Sequence, residues 1–300
     1  MTVTLDPGQA GASASTGAAL LAGAPIAAAI REQVTEDVAV FRRRHGYAPT
    51  LAVLLLGRDA PSAVYLKQIL RTCRSVGLEG RQVEVPGRVS PASVRRQLLL
   101  LNADPLVAGI IVQQPLPKSV PLRVVIDTLD PDKDVDGIGP LNAGLMTLGY
   151  EGFIPATAQA AVEILRRSGY RLDGMHAVVI GRSNVVGKPA SLLLLREHCT
   201  VTVCHSRTRD LAEHTRQADV VVVAAGRPGL VTGAMLKPGA LVVDVGINVT
   251  PAGIVGDVDA ASARRVVAAL TPVPGGVGPL TNAILLQHLL AAARRQHESP

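Results

Sequence analysis

"HAVVIGRSNVVGKPASLLLLREHCTVTVCHS" occupies residues 176–206. It opens on an apolar run that stops at Gly181. A short polar turn follows, then an aliphatic stretch too long for one strand, then "TVTVCHS" with β-branched residues in alternation. Strand, turn, helix and strand in this order form a unit whose two strands must lie parallel, because the crossover is helical. Downstream, "DLAEHTRQ" (210–217) reads as a helix, and "ADVVVVAAG" (218–226) and "GALVVDVGI" (239–247) as strands. Upstream, "AQAAVEILRRSG" (158–169) is a helix stopped by glycine. Together they predict a doubly wound, Rossmann-like unit.

The same alternation runs through the N-terminal half. Residues 24–44 read as a helix and "LAVLLLG" (51–57) as a buried strand. "PSAVYLKQILRTC" (61–73) is a helix closed by Gly77, and "RQVEVPG" (81–87) a second strand. Ser90 is placed to N-cap the helix "PASVRRQLLLLN". "VAGIIVQQPLP" (107–117) is a third strand running into a proline-rich turn, and "LRVVIDTL" (122–129) a helix. "DPDKDVDGIGPLN" (130–142) reads as a loop, and a helix from Leu280 to about Gln296 closes the chain. The expected fold is therefore α/β, with two doubly wound lobes and a ligand cleft between them. The expected boundaries are a disordered tail at 1–18, a first domain at 19–157 completed by the helix at 280–297, and a Rossmann-like domain at 158–279.

Composition narrows the function. Hydrophobic residues make up 48% of the 300 and aromatics only 2%, so the core must be aliphatic. The formal charge of +6 is spread along the chain, and no aromatics interleave the bases. That argues against nucleic acid and suits a small anionic ligand. Cys73, Cys199 and Cys204 form no CxxC pair and no His/Cys cluster has metal-ligand spacing. Reduced thiols, no metal and a cytoplasmic protein are expected. Residues 1–17 lack the pattern of a signal peptide, and no apolar run reaches the roughly 18 residues of a membrane span.

"VVIGRSNVVGKP" carries Gly181, Ser183 and Gly187 in a G-x-S-x-x-x-G arrangement. Gly181 permits the tight strand-to-helix turn, Ser183 stands where a pyrophosphate approaches, and Gly187 opens the helix whose N–H groups can receive an anion. The next strand ends in "CHSRT" (204–208) without the acid that would take an NAD ribose. His205, Ser206, Arg207 and the nearby Arg182 would instead welcome a 2′-phosphate. The expected cofactor is NADP.

Further motifs follow in order: "YL" with downstream "C…VG", "VQQPLP" (112–117), "DPDKDVDG", "GRSNVVGKP", "VGIN", "GDV" and "TPVPGGVGPLT" (271–281). This series, over about residues 20–296, resembles the bifunctional methylenetetrahydrofolate dehydrogenase/methenyltetrahydrofolate cyclohydrolase family. The resemblance implies a homodimer with a reduced-folate substrate held between an N-terminal lobe and an NADP lobe. It implies NADP-dependent oxidation of 5,10-methylenetetrahydrofolate, then hydrolysis of the methenyl product to 10-formyltetrahydrofolate. Tyr65 matches the tyrosine that lies against the aminobenzoyl group, Gln113 the glutamine that positions a catalytic lysine, and Asp136 the aspartate that hydrogen-bonds the pterin. Ser62, Pro272, Gly275 and Gly276 fall at the folate wall, Arg182 and Ser206 at the 2′-phosphate, and Ile247 beside the cofactor.

One departure bears on the chemistry. The family places its catalytic lysine four residues after the tyrosine, and this chain has Ile69 there. At about 100° per residue, that position lies roughly 40° from Tyr65 on the helix, whereas Lys67 lies roughly 200° away and Arg71 near 240°. Arg71 also keeps its charge at any working pH. Other departures are "PATAQA" (155–160), Gln114, Asn282 and "DGIGP". The expectation is a dehydrogenase with cyclohydrolase weak or lost. A paralogue with altered one-carbon chemistry, an ordinary bifunctional enzyme and a silent NADP/folate-binding protein remain open.

Overall fold

The computed structural model describes residues 17–56, 60–251 and 253–298, with backbone only at 60–65 and 298. In chain order the elements are β1 (Ala19–Leu20), α1 (Gly23–His45), β2 (Thr50–Leu55), α2 (Ala60–Ser75), β3 (Glu79–Glu84), α3 (Pro91–Ala103), β4 (Val107–Val112), α4 (Leu122–Ile126), α5 (Pro140–Leu148) and α6 (Ala156–Arg166). They continue with β5 (His176–Ile180), α7 (Gly187–Arg196), β6 (Thr200–Cys204), α8 (Leu211–Thr215), β7 (Val220–Val223), β8 (Leu241–Asp244), β9 (Asn248–Thr250), β10 (Gly253–Val255), α9 (Ala260–Ala263), β11 (Ala269–Leu270) and α10 (Val277–Glu298). The chain divides into two compact units, Ala27–Ala156 with Asn282–Pro300, and Met1–Ile26 with Thr157–Thr281.

The first of these units holds a parallel sheet in the order β3-β2-β4. The chain winds from β2 to one side and then crosses to the other, so the winding reverses between β2 and β4. All six residues of β4 are buried, which explains its unbroken apolar run. β3 is an edge strand and reads EGRQVE, polar and half-exposed. Ser90 caps α3 as expected: its hydroxyl accepts the Ser93 N–H at 3.2 Å, and the Ser93 hydroxyl accepts the Ser90 N–H at 2.9 Å.

The second unit holds a parallel sheet in the order β1-β11-β8-β7-β5-β6. Its winding reverses between β5 and β7, the place where doubly wound sheets take ligands. β7 and β8 are wholly buried, and the core around them is mostly valine, leucine and alanine, with Ile180 and Cys204. Among the described residues no helix is long and apolar enough to cross a membrane.

Several boundaries differ from expectation. The strand expected at 81–87 lies at Glu79–Glu84, because its register with β2 pairs Thr50 with Glu79 and Leu55 with Glu84. The expected loop at 130–142 ends early: Pro140 opens α5, and Gly149 closes it in the left-handed conformation at φ 84°. A proline is favoured at a helix's first position, so Gly-Pro here starts a helix rather than extending a loop. α10 begins at Val277, not Leu280. β1, the β9–β10 hairpin and β11 were not expected; each is two or three residues long and depends on distant pairing, such as Ala19 with Ala269. Residues 1–16 of the expected tail and Gly57 lie outside the described residues.

Candidate functional site

In the unit of Thr157–Thr281 the nucleotide motif sits at the carboxyl ends of β5 and β6, which pair in register up to Ile180 and Cys204. The Gly181 N–H donates to the Cys204 carbonyl at 2.8 Å, tying the two turns together. Gly181 has φ 130°, and a Cβ there would overlap the Ala224 carbonyl at the end of β7. A Cβ on Gly187 would overlap the Gly181 carbonyl. Both glycines are therefore fixed by sterics. Gly187→Ala is expected to cost about 3 kcal/mol, because rigid backbone faces the new methyl. Denaturant unfolding checks this through a lowered midpoint at constant slope.

One expectation changes. The N–H groups at the start of α7 are not held out for a ligand. The Ser183 hydroxyl accepts from Val186 at 3.1 Å and Gly187 at 3.4 Å, and the Ser183 carbonyl accepts from Lys188 at 3.1 Å. Ser183 thus caps the turn from inside. Arg182 and Ser183 are exposed at this turn. In the neighbouring turn, His205 folds the backbone. Its N–H donates to the Thr208 hydroxyl at 2.8 Å and its Nδ1 accepts from Arg207 at 3.1 Å, leaving the Ser206 and Arg207 side chains exposed. Cations and hydroxyls therefore stand side by side with no acid in residues 204–209. That fits a phosphorylated ribose, which a carboxylate would repel.

Asp244 and Asp257 escaped the sequence reading. The Asp244 carboxylate accepts N–H groups from Gly246, Asp257 and Val258, each at 2.9 Å. Asp257 accepts from Ala225, Gly226 and Arg227 at 2.7–2.9 Å. Burial pushes the Asp244 carboxyl up, and these N–H groups oppose the shift. The pair braces the loops after β7 and β8. A Cβ on Gly246 or Gly256 would overlap these carboxylates, which accounts for "VGIN" and "GDV". An aspartate ending an otherwise apolar strand was the available signal. Ile247, on the braced loop, is 65% exposed. In "TPVPGG" the Gly276 N–H donates to the Pro272 carbonyl at 2.8 Å, and the Gly275 carbonyl accepts from Gly23 at 3.1 Å. Gly275 has φ 110° and Gly276 is buried, so the loop is internally stiff.

In the unit of Ala27–Ala156 the acidic loop is attached to β4, with Ile110 N–H donating to the Lys133 carbonyl at 2.7 Å. Most of its polar groups have structural duties. The Lys133 ammonium donates to the carbonyls of Asn102 at 2.7 Å and Asp104 at 2.8 Å, closing the end of α3. Asp134 accepts from Ile138, Gly139 and Asn142 at 2.8–3.1 Å. Asp130 accepts from Asp132 N–H at 3.0 Å. Asp136 is different. It is half-buried, and its carboxyl is pushed up to about 7, first by burial and then by the Asp134 charge, against one N–H bond from Ala156. It is the loop's carboxyl group poised near neutrality.

Gln113 follows β4 directly, at the sheet's winding reversal. Its N–H donates to the Leu54 carbonyl at 3.0 Å, and its buried Oε1 has no hydrogen-bond partner among the described residues. Asn282 Oδ1 is the second such atom. On α2, Leu66, Ile69 and Cys73 form the buried face at 3%, 2% and 0% exposure, while Lys67 and Arg71 are exposed. Burial pushes the Cys73 thiol up to about 12, which makes it inert. The side chains of Ser62 and Tyr65 lie outside the described residues. His288 was also missed. It is an imidazole in the aliphatic middle of α10, with Nδ1 2.9 Å from the Val135 carbonyl.

Comparison with known proteins agrees across the chain. Residues 21–136 match the model of the tetrahydrofolate dehydrogenase/cyclohydrolase catalytic domain, and residues 155–297 that family's NAD(P)-binding domain. Bifunctional protein FolD 1 of Rubrobacter xylanophilus is 48% identical over 282 residues, covering 94% of this chain and 99% of that protein. Bifunctional protein FolD 3 of Rhizorhabdus wittichii is 47% identical over 286 residues, covering 93% and 94%. A solved structure of the Trypanosoma brucei methylenetetrahydrofolate dehydrogenase-cyclohydrolase, complexed with NADP and an inhibitor, superposes with a TM-score of 0.90 at 36% identity, covering 94% of this chain and 99% of that one. The chain belongs to the tetrahydrofolate dehydrogenase/cyclohydrolase family.

Proposed function

We propose that this protein is an NADP-dependent methylenetetrahydrofolate dehydrogenase whose cyclohydrolase activity is weak or lost. The observation that carries the reading is Ile69, buried on α2 four positions after Tyr65, while Lys67 and Arg71 face solvent. In this reading Ile69 occupies the family's lysine position. Gln113 Oε1, which has no hydrogen-bond partner among the described residues, supports it: a glutamine that orients a lysine ammonium would be left without that donor when the ammonium is replaced by hydrocarbon.

The assignment of parts follows. Residues 158–279 bind NADP, residues 19–157 with 280–297 bind the reduced folate, and the assembly is a cytoplasmic homodimer. Gly181 and Gly187 let the turn that Ser183 braces pass close under the pyrophosphate; Arg182, His205, Ser206 and Arg207 receive the 2′-phosphate; Ile247 packs beside the cofactor. Tyr65 stacks on the aminobenzoyl group beside Ser62, Asp136 accepts the pterin N–H groups, and Pro272, Gly275 and Gly276 form a rigid wall. Bound by residues 158–279, NADP would supply the acceptor for a hydride from the methylene carbon. The protein's part in that step is to position the donor carbon, which needs no proton carrier. Hydrolysis needs water activated and a leaving amine protonated, and a positioned acid/base typically contributes about 10²–10⁴-fold there.

A second reading, the ordinary bifunctional enzyme with another group in place of the lysine, is favoured by the names of its relatives. The first test is NADPH formation from 5,10-methylenetetrahydrofolate by the purified protein; no formation would sink the dehydrogenase. Arg182→Ala should weaken NADP about 10–100-fold, for one charge-assisted phosphate contact, while NAD affinity changes little. Equal losses for both cofactors would place Arg182 elsewhere.

A further inference from the structure

We infer that His288 is a positioning residue for Asp136, holding the pterin-recognition carboxylate from both chain directions through Val135 and Phe153. The inference rests on the reading of Asp136 given above. Asp136 stands between Val135, which is bonded to the His288 ring, and Gly137, which lies against the backbone of Phe153, whose own ring packs on His288. On one side, the Val135 carbonyl accepts from His288 Nδ1 at 2.9 Å. A carbonyl cannot donate, so Nδ1 carries the proton and the tautomer is fixed. On the other side, Gly137 has φ 61° and lies so close to the Phe153 carbonyl that a Cβ would overlap it. The Phe153 ring packs on His288 with centroids 5.5 Å apart, tilted by 53°. Phe153 is itself fixed: its N–H donates to Asn142 Oδ1 at 3.0 Å, and the Arg295 guanidinium lies 4.8 Å from its ring centroid.

The charges around the pair agree with this role. Burial lowers the His288 imidazole to about 4, the Val135 carbonyl opposes that shift, and Arg295 adds to it. The ring is thus neutral wherever the enzyme works. It offers Asp136 a fixed dipolar support and no competing positive charge. Asp134 is the acidic group that faces Asp136, and Ala156 N–H is its backbone partner. A shift of the Val135 carbonyl would alter both distances, so the role has a signature in the titration of Asp136 and in folate binding.

The test compares His288→Leu, which removes the donor, with His288→Asn, whose amide N–H stands where Nδ1 stood. His288→Leu should raise KM for the folate at least tenfold with a smaller change in kcat. It should also move the pH midpoint of kcat/KM away from its wild-type value and leave NADP affinity within about twofold. His288→Asn should return KM to within about threefold. Unchanged KM and pH midpoint in His288→Leu would overturn the inference. So would failure of that variant to fold by thermal unfolding, since His288 would then be a core residue alone. Asp136→Asn separates the two ideas. If it leaves folate binding intact, the reading of Asp136 fails. If it impairs binding and His288→Leu does not, only the role of His288 fails.

Discussion

Ile69→Lys should restore methenyl hydrolysis, raising the rate about 10²-fold or more if the rest of the site is intact, the scale of a positioned acid/base. The substitution puts an ammonium on the buried face of α2, where Ile69 is 2% exposed. Burying that charge costs on the order of 3 kcal/mol unless an acceptor meets it. Gln113 Oε1 is a buried acceptor lacking a partner among the described residues, so the new lysine has an acceptor to seek. Two results are therefore expected together: a gain of cyclohydrolase and a loss of stability smaller than for a lysine with no partner. Ile69→Met separates chemistry from packing. It conserves volume, should cost under about 1.5 kcal/mol, and should leave hydrolysis unchanged. A stable Ile69→Lys variant with no gain in hydrolysis would mean that the site has diverged beyond the lysine.

Asp136→Asn should have the next largest effect. Two N–H donors on a carboxylate lose about 1.5–3 kcal/mol each when the charge goes, and the amide oxygen keeps part of one bond. KM for the folate should rise about 100-fold. The pH dependence identifies the group. With its pKa at about 7, Asp136 is largely protonated at pH 6 and ionised at pH 8. In the wild type kcat/KM should climb about tenfold per pH unit below 7 and level off above it; in Asp136→Asn the profile should be flat there. The stability sign is opposite. A carboxyl raised from 3.8 to about 7 contributes stability that is full below pH 3.8 and is lost as pH rises through 7. The variant removes that loss and should be the more stable protein at pH 8, by up to about 4 kcal/mol. Better stability with poorer binding marks a group kept for function.

The sequence makes the sheets legible because parallel strands are buried on both faces. β4 and β7 announce themselves as unbroken apolar runs, β8 as an apolar run closed by Asp244, and Gly181 and Gly187 as positions where only hydrogen fits. α2 is legible for a different reason. Its period of 3.6 separates Leu66, Ile69 and Cys73 from Lys67 and Arg71, and the structure buries the first set and exposes the second. What escaped is long-range. β1 exists because Ala19 and Leu20 find Ala269 and Leu270, and no local pattern encodes that. α5 escaped because Gly139 and Pro140 look alike in a loop and at a helix start.

At the site, residue types were easier to read than their duties. The acidic loop is conspicuous, but only its hydrogen bonds show that Lys133, Asp134 and Asp130 serve the loop while Asp136 does not. The helix N-terminus looked ready for an anion, yet Ser183 already caps it. Asp244, Asp257 and His288 escaped because most of their partners are backbone groups far along the chain. Each is a polar residue in an apolar setting, and that setting is the signal to pursue.

The most direct measurement follows the methenyl absorbance after 5,10-methylenetetrahydrofolate and NADP are mixed with the purified protein. The account predicts that NADPH and the methenyl compound rise together, and that the methenyl signal then decays at the buffer rate whatever the enzyme concentration. Decay that accelerates in proportion to enzyme would contradict it.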